Sequence, residues 1–210
     1  MEISTLARLP ASGPADLLFL LFPGANGNAA AMTALAQRLG VEYPQSAVLC
    51  VDVTPQALPA FVAVVRQFQL RFSVGWERTA LFGFALGATM ALEAVQAEPD
   101  LAGRVLAFSG CHHAEPQHAP QDTTVHFFHG LDDRAVPYEP SVGAARRLMA
   151  LGGDVTADVL PGIGHELHPD LIAKAIEQLR TFLPKKVWRQ AAAEAPLMGR
   201  AASSRELGSG

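Results

Sequence analysis

Charge is scarce in this chain of 210 residues. Asp, Glu, Lys and Arg make up 17% of it, against about 25% in an average globular protein. The balance is mildly acidic, 16 basic against 20 acidic side chains, for a net charge of −4. No basic block occurs, which argues against nucleic acid and anionic membrane as partners. Long apolar runs are also lacking. The longest near the N-terminus, Leu17 to Phe22, falls far short of the ~20 residues a membrane span requires. Glu2 and Asp16 precede that run and no positive segment does, so it does not read as a secretory leader. Cysteine is nearly absent. Cys50 and Cys111 cannot make a disulfide framework, and their scarcity suits a reducing cytoplasm. Cys50 lies within an apolar run and reads as a small buried hydrophobe.

What is abundant is apolar surface, half of all residues, with Gly at 18 and Pro at 15. That composition excludes a disordered or low-complexity chain. The length suits one domain able to bury roughly 70% of the surface its unfolded chain exposes. No internal repeat is visible. Short apolar runs alternate with longer amphipathic ones. Leu17–Phe22, Val48–Val51, Thr79–Phe82, Val105–Phe108 and Val125–Phe128 read as strands covered on both faces, and Val155–Leu160 as one with polar residues alternating. Between them Leu58, Phe61, Val62 and Val65 follow helical spacing, as do Ala88, Ala91, Leu92 and Val95, and Ile172, Ala175, Ile176 and Leu179. Asp170, after Pro169, is placed to cap the last of these. A helix around Ala145, Leu148 and Met149 should end at Gly152-Gly153. The order predicts an α/β fold, a mostly parallel twisted sheet with helices on both faces. The domain should span residues 1–184. Residues 185–210, rich in Ala and Arg, read as a partly disordered extension whose start Trp188 is placed to pin.

Function in such sheets sits at the C-terminal ends of the strands. After Thr79–Phe82 comes Gly83-Phe84-Ala85-Leu86-Gly87 and then an Ala-rich helix. This has the strand–turn–helix setting of a G-x-S-x-G nucleophile elbow, in which the glycines let strand and helix meet. The central residue is Ala85, whose methyl cannot attack a carbonyl. The same glycines also fit a tight βα turn without chemistry. After Val125–Phe128 comes His129-Gly130-Leu131-Asp132-Asp133. An acid here suits the member of a triad that orients a histidine, with Asp133 first choice and Asp132 second; the rival reading is an Asp bonded to its own turn. After Val155–Leu160 comes Pro161-Gly162-Ile163-Gly164-His165, where His165 can serve as general base. His168 is a weaker candidate. The order elbow, acid, histidine is that of α/β-hydrolases.

The loop after Leu17–Phe22, Pro23-Gly24-Ala25-Asn26-Gly27-Asn28, can aim a backbone N–H at a developing oxyanion, with the N–H of Leu86 as second donor. It lacks the pattern of a phosphate-binding loop. The seven histidines do not suggest a metal. His126 and His129 point to opposite faces of a strand, and His112, His113 and His118 read as solvent-exposed loop residues. Ser109, Cys111 and His168 are left as bearers of some other chemistry, although Ser109-Gly110 opens a loop and lacks elbow geometry.

The residues resemble the small bacterial serine esterases of the phospholipase/carboxylesterase/acyl-thioesterase family. The likeness runs through Gly83–Ala88, Met90–Glu93, Ala97-Glu98-Pro99, Gly130-Leu131-Asp132-Asp133, Gly152–Thr156 and Gly164-His165, and more loosely through Leu17–Met32. It implies the α/β-hydrolase fold and a cytoplasmic hydrolase of short acyl esters or thioesters, monomeric or homodimeric, without cofactor. It implies Asp133 and His165 as triad members and the N–H groups of Ala25 and Leu86 as the oxyanion hole. Three features depart from the family. Ala85 stands where it carries serine, and Pro23-Gly24 where it carries His-Gly. The stretch between Val53 and Leu58 is short, which predicts an open acyl site. Two readings follow: a serine-esterase-type hydrolase in a variant without its nucleophile, or a natural pseudo-hydrolase that binds a ligand or partner without turnover.

Overall fold

The apolar runs become the strands of one sheet. The structure, a computed structural model, describes residues 5–25, 29–51, 54–185 and 187. Among these, seven strands pair: β1 (Thr5–Arg8), β2 (Leu17–Phe22), β3 (Ser46–Val51), β4 (Thr79–Phe84), β5 (Arg104–Phe108), β6 (Thr124–Gly130) and β7 (Asp154–Leu160), in the order β1-β3-β2-β4-β5-β6-β7. β2 to β7 are parallel, and β1 lies antiparallel on the edge, with Leu6 opposite Cys50. The sequence reading did not foresee β1. Its four residues, Thr-Leu-Ala-Arg, make no apolar run, and only pairing with β3 fixes them as a strand.

Period-two geometry splits each apolar run between two cores. Leu18, Leu20 and Phe22 enter the core under α2 (Leu58–Phe72), α3 (Leu86–Ala97) and α4 (Glu139–Ala150). Phe19 and Leu21 enter the opposite core, under α1 (Thr33–Glu42) and α5 (Pro169–Thr181). Both faces are therefore covered, which is why β2 is apolar at every position. Truncating a side chain such as Leu20 here removes about 2–5 kcal/mol, the transfer term plus the cavity left behind.

Helix ends follow local chemistry, with one correction. α4 stops where Gly152 turns to φ 85 and the N–H of Gly153 reaches back to the carbonyl of Leu148 at 2.9 Å. α5 is capped by His168 and not by Asp170: the His168 Nδ1 accepts the Asp170 N–H at 3.2 Å. Pro169 already holds the first helical position, so the residue before it supplies the cap. No described helix is long and apolar enough to cross a membrane. The expectations for Trp188 and for the chain beyond Ala195 lie outside the described residues.

The winding sets where a site can form. From β2 the chain moves one way to β3, then returns to place β4 on the other side of β2. The crevice beyond the C-terminal ends of β2 and β4 is thus the point where the strand order reverses, the usual ligand position in open α/β sheets.

Candidate active site

Ala85 joins β4 to α3 on a sharp turn, with φ 49 and ψ −112. That backbone lies outside the regions an L-residue prefers and costs on the order of 1–3 kcal/mol. Its N–H donates to the Phe108 carbonyl at 2.9 Å, and its carbonyl accepts the Thr89 N–H at 3.0 Å. The two glycines around it answer to close approach. A Cβ on Gly83 would stand 2.3 Å from the Ala88 nitrogen, and one on Gly87 would stand 2.2 Å from the Phe22 carbonyl oxygen. The turn therefore packs against the end of β2 with no room for side chains. Leu86 is the first residue of α3, so its N–H has no partner within the helix.

The loops after β6 and β7 are tied together. Leu131 N–H donates to the Leu160 carbonyl at 2.8 Å and Asp132 N–H to that of Ile163 at 3.0 Å. Asp132 spends its carboxylate on the Gly162 N–H at 2.8 Å, so it braces the neighbouring loop and does not face His165. Asp133 does. Its Oδ2 lies 2.8 Å from His165 Nδ1. A carboxylate can only accept, so Nδ1 carries the proton and Nε2 is left as the basic nitrogen. Oδ1 of Asp133 accepts the N–H groups of Ala135 at 3.0 Å and Val136 at 2.9 Å. Burial alone would raise this carboxyl, but the Val136 N–H, His165 and the Ala135 N–H outweigh it and hold the pKa below the ordinary value.

Sequence reasoning missed a buried support behind Asp133. His129 Nε2 donates to the Val136 carbonyl at 2.9 Å and sits 3.5 Å from Asp133 Oδ2. Its Nδ1 faces the Ser141 hydroxyl at 3.1 Å, which in turn lies 3.0 Å from the Gly110 carbonyl. Burial lowers the pKa of His129 and keeps the ring neutral. The His129-Gly130 pair just before the acid was the available signal.

His165 packs its ring against Phe84, with centroids 4.8 Å apart and planes at 41°. Gly24, Ala25, Ala31, Phe84, Leu86 and His165 surround Ala85 in a cleft of about 350 Å³. The structure thus brings Ala85, His165, Ala25 and Leu86 to one opening, with Asp133 buried behind His165. A slightly larger cleft, of about 370 Å³, lies between the His112–Pro116 loop and α4 and is lined by His112 and His113. Two more, of about 480 and 450 Å³, open at the other end of the strands, around Asp122 and Asp154 and around Arg104. Neither is lined by a histidine.

The remaining candidates go elsewhere. His168 caps α5. Ser109 is fully buried on a left-handed backbone, φ 47. Burial pushes the Cys111 thiol up, with the Glu93 carboxylate acting the same way, so it makes a poor thiolate. His113 and His118 are exposed as expected. His112 is not: its side chain is buried, with Nδ1 3.2 Å from Glu93 Oε1. A loop packed onto α3 covers it. Among the described residues no three His, Cys, Asp or Glu side chains gather as a metal site would require.

A mostly parallel sheet of this order, with a strained turn after β4 and a carboxylate-held imidazole at the end of β7, defines an α/β-hydrolase. Over residues 51–183 the sequence matches the family described as Phospholipase/Carboxylesterase. It is 33% identical over 204 residues to Esterase YpfH of Escherichia coli strain K12, covering 85% of this chain and 88% of that protein. The chain belongs to the phospholipase/carboxylesterase family. A shorter match, 33% identical over 118 residues, joins 52% of it to half of Acyl-protein thioesterase 1 of Gibberella zeae. In three dimensions it resembles esterase PE8, with TM-score 0.76 and 24% identity over 87% of this chain and 100% of that one. It also resembles acyl-protein thioesterase 2 of Zea mays, with TM-score 0.65 and 17% identity over 84% and 97%. At those identities the structural likenesses speak for the fold alone.

Proposed function

We propose that this chain is a carboxylic-ester or thioester hydrolase by machinery, with Ala85 standing at the nucleophile's place. Asp133 orients His165, His165 is the general base, and the N–H groups of Ala25 and Leu86 receive the acyl oxygen. The substrate class is a short, uncharged acyl ester or thioester. No Asp, Glu, Lys or Arg side chain lines the cleft among the described residues. The relatives named as esterase and acyl-protein thioesterase support that class. The observation that carries the reading is the Asp133–His165 pair at 2.8 Å beside the strained turn at Ala85.

With a methyl at position 85 no acyl-enzyme can form on that residue. Loss of a triad nucleophile costs on the order of 10⁶ in kcat in a serine protease, so the chain should show no burst with p-nitrophenyl acetate. Ala85→Ser adds one oxygen to a turn already shaped for it and should produce a burst and raise the steady rate. The methyl at that position also favours the second reading, a scaffold that binds an acyl ligand without covalent chemistry. An Ala85→Ser protein that folds normally and hydrolyses no activated ester would establish that second reading.

A further inference from the structure

We infer that this chain hydrolyses activated acyl esters by direct attack of water, with His165 as general base and no covalent intermediate. The inference rests on the assignment of Asp133 and His165 proposed above. Three observations support it. The proton-accepting nitrogen is defined, because Asp133 fixes the proton on Nδ1 and leaves Nε2 basic. The ring is held against Phe84 yet remains 29% exposed, enough to meet solvent. The cleft of about 350 Å³ exceeds by about tenfold the ~30 Å³ share of one water, so water and a short acyl group fit together above the Ala85 methyl.

The step balances without a further reagent. The water oxygen forms a bond to the acyl carbon while its proton passes to His165 Nε2. The carbonyl electron pair moves onto oxygen, next to the N–H groups of Leu86 and Ala25. When that pair returns, the bond to the leaving oxygen breaks, and the leaving group takes the proton from Nε2. An acid and an alcohol depart, and the imidazole is neutral again. Asp133 stays ionised throughout. The alternative is that residual rate comes from binding and oxyanion donors alone, roughly 10³–10⁴ over water, with the histidine idle.

The two are separated by steady-state hydrolysis of p-nitrophenyl acetate by the full chain, its His165→Gln variant and the Ala85→Ser chain. The unaltered chain should give linear progress curves above the buffer blank. His165→Gln should lower that rate by roughly 10²-fold, the usual worth of a general base. Circular dichroism and thermal melting should show both proteins folded alike. The His165-dependent rate should slow in D₂O, since a water proton is in flight. A rate unchanged in His165→Gln overturns the inference. So does a His165-dependent rate indifferent to D₂O, which marks imidazole attack on the ester itself. If Ala85→Ser is active while the unaltered chain has no His165-dependent rate, only this inference fails. If Ala85→Ser is inactive as well, the assignment of the base fails with it.

Discussion

Asp133 and His165, separated by 32 positions in sequence, meet at 2.8 Å through Oδ2 and Nδ1. The contact is made by two loops that follow adjacent parallel strands, β6 and β7, whose register places Gly130 opposite Leu160. Backbone bonds lock those loops to each other, so the carboxylate and the imidazole are set by the sheet and not by flexible side chains. The other side of Asp133 is fully engaged by two backbone N–H groups. Oδ2 is left to the imidazoles, His165 at 2.8 Å and, more distantly, His129 at 3.5 Å.

That engagement makes Asp133→Asn informative. The Asn oxygen should take the place of Oδ1 and accept the Ala135 and Val136 N–H groups. Its NH₂ then faces His165 Nδ1 and forces the proton onto Nε2, the wrong tautomer for a base. In the Ala85→Ser chain, kcat for p-nitrophenyl acetate should fall by about 10⁴ while the melting temperature changes little. A loss below tenfold would mean that Asp133 does not set the tautomer.

The strain at Ala85 predicts a gain from a smaller residue. At φ 49 and ψ −112 glycine relieves the backbone cost, and that relief should exceed its larger entropy loss. Ala85→Gly should raise stability by up to about 1 kcal/mol, or roughly 2–4 °C in melting temperature for a chain of this size. An unchanged or lower midpoint would show that the turn holds no strain to release.

His126 predicts acid sensitivity far from the cleft. Burial, aided by the nearby Arg104 charge, drives its pKa from 6.5 to about 3. Its Nδ1 lies 2.8 Å from Thr156 Oγ1, and its Nε2 lies 3.3 Å from Arg104. Between those two pH values the unfolded chain binds a proton that the folded chain refuses. Stability from this group is therefore present above pH 6.5 and falls as pH drops, by about 1.4 kcal/mol per unit. Denaturant unfolding at pH 6.5 and 4.5 should show this slope, and His126→Gln should flatten it. An equal slope in both proteins would place the acid sensitivity elsewhere.

Several features of the protein were written in local sequence. Five of the seven strands appear as largely apolar runs because a strand buried on both faces must be mostly apolar, and β7, only partly buried, appears as a run with polar residues alternating. Gly83-Phe84-Ala85-Leu86-Gly87 declares a tight strand-to-helix turn because any larger residue at its ends would strike backbone. Gly152-Gly153 announces the end of α4 because the left-handed turn there favours glycine. Family membership was legible in the same motifs. Tertiary structure alone decided what depends on contacts across the sheet. It made β1 a strand, since a four-residue segment without an apolar run is fixed only by pairing with β3. It separated Asp133 from Asp132, neighbours of equal chemistry, by turning one toward His165 and the other toward Gly162. It buried His112 against Glu93 and set His129 and Ser141 behind the acid. The side-chain choices rest on hydrogen bonds between residues 12 to 32 positions apart. No local propensity encodes such distances; the register of β5, β6 and β7 does.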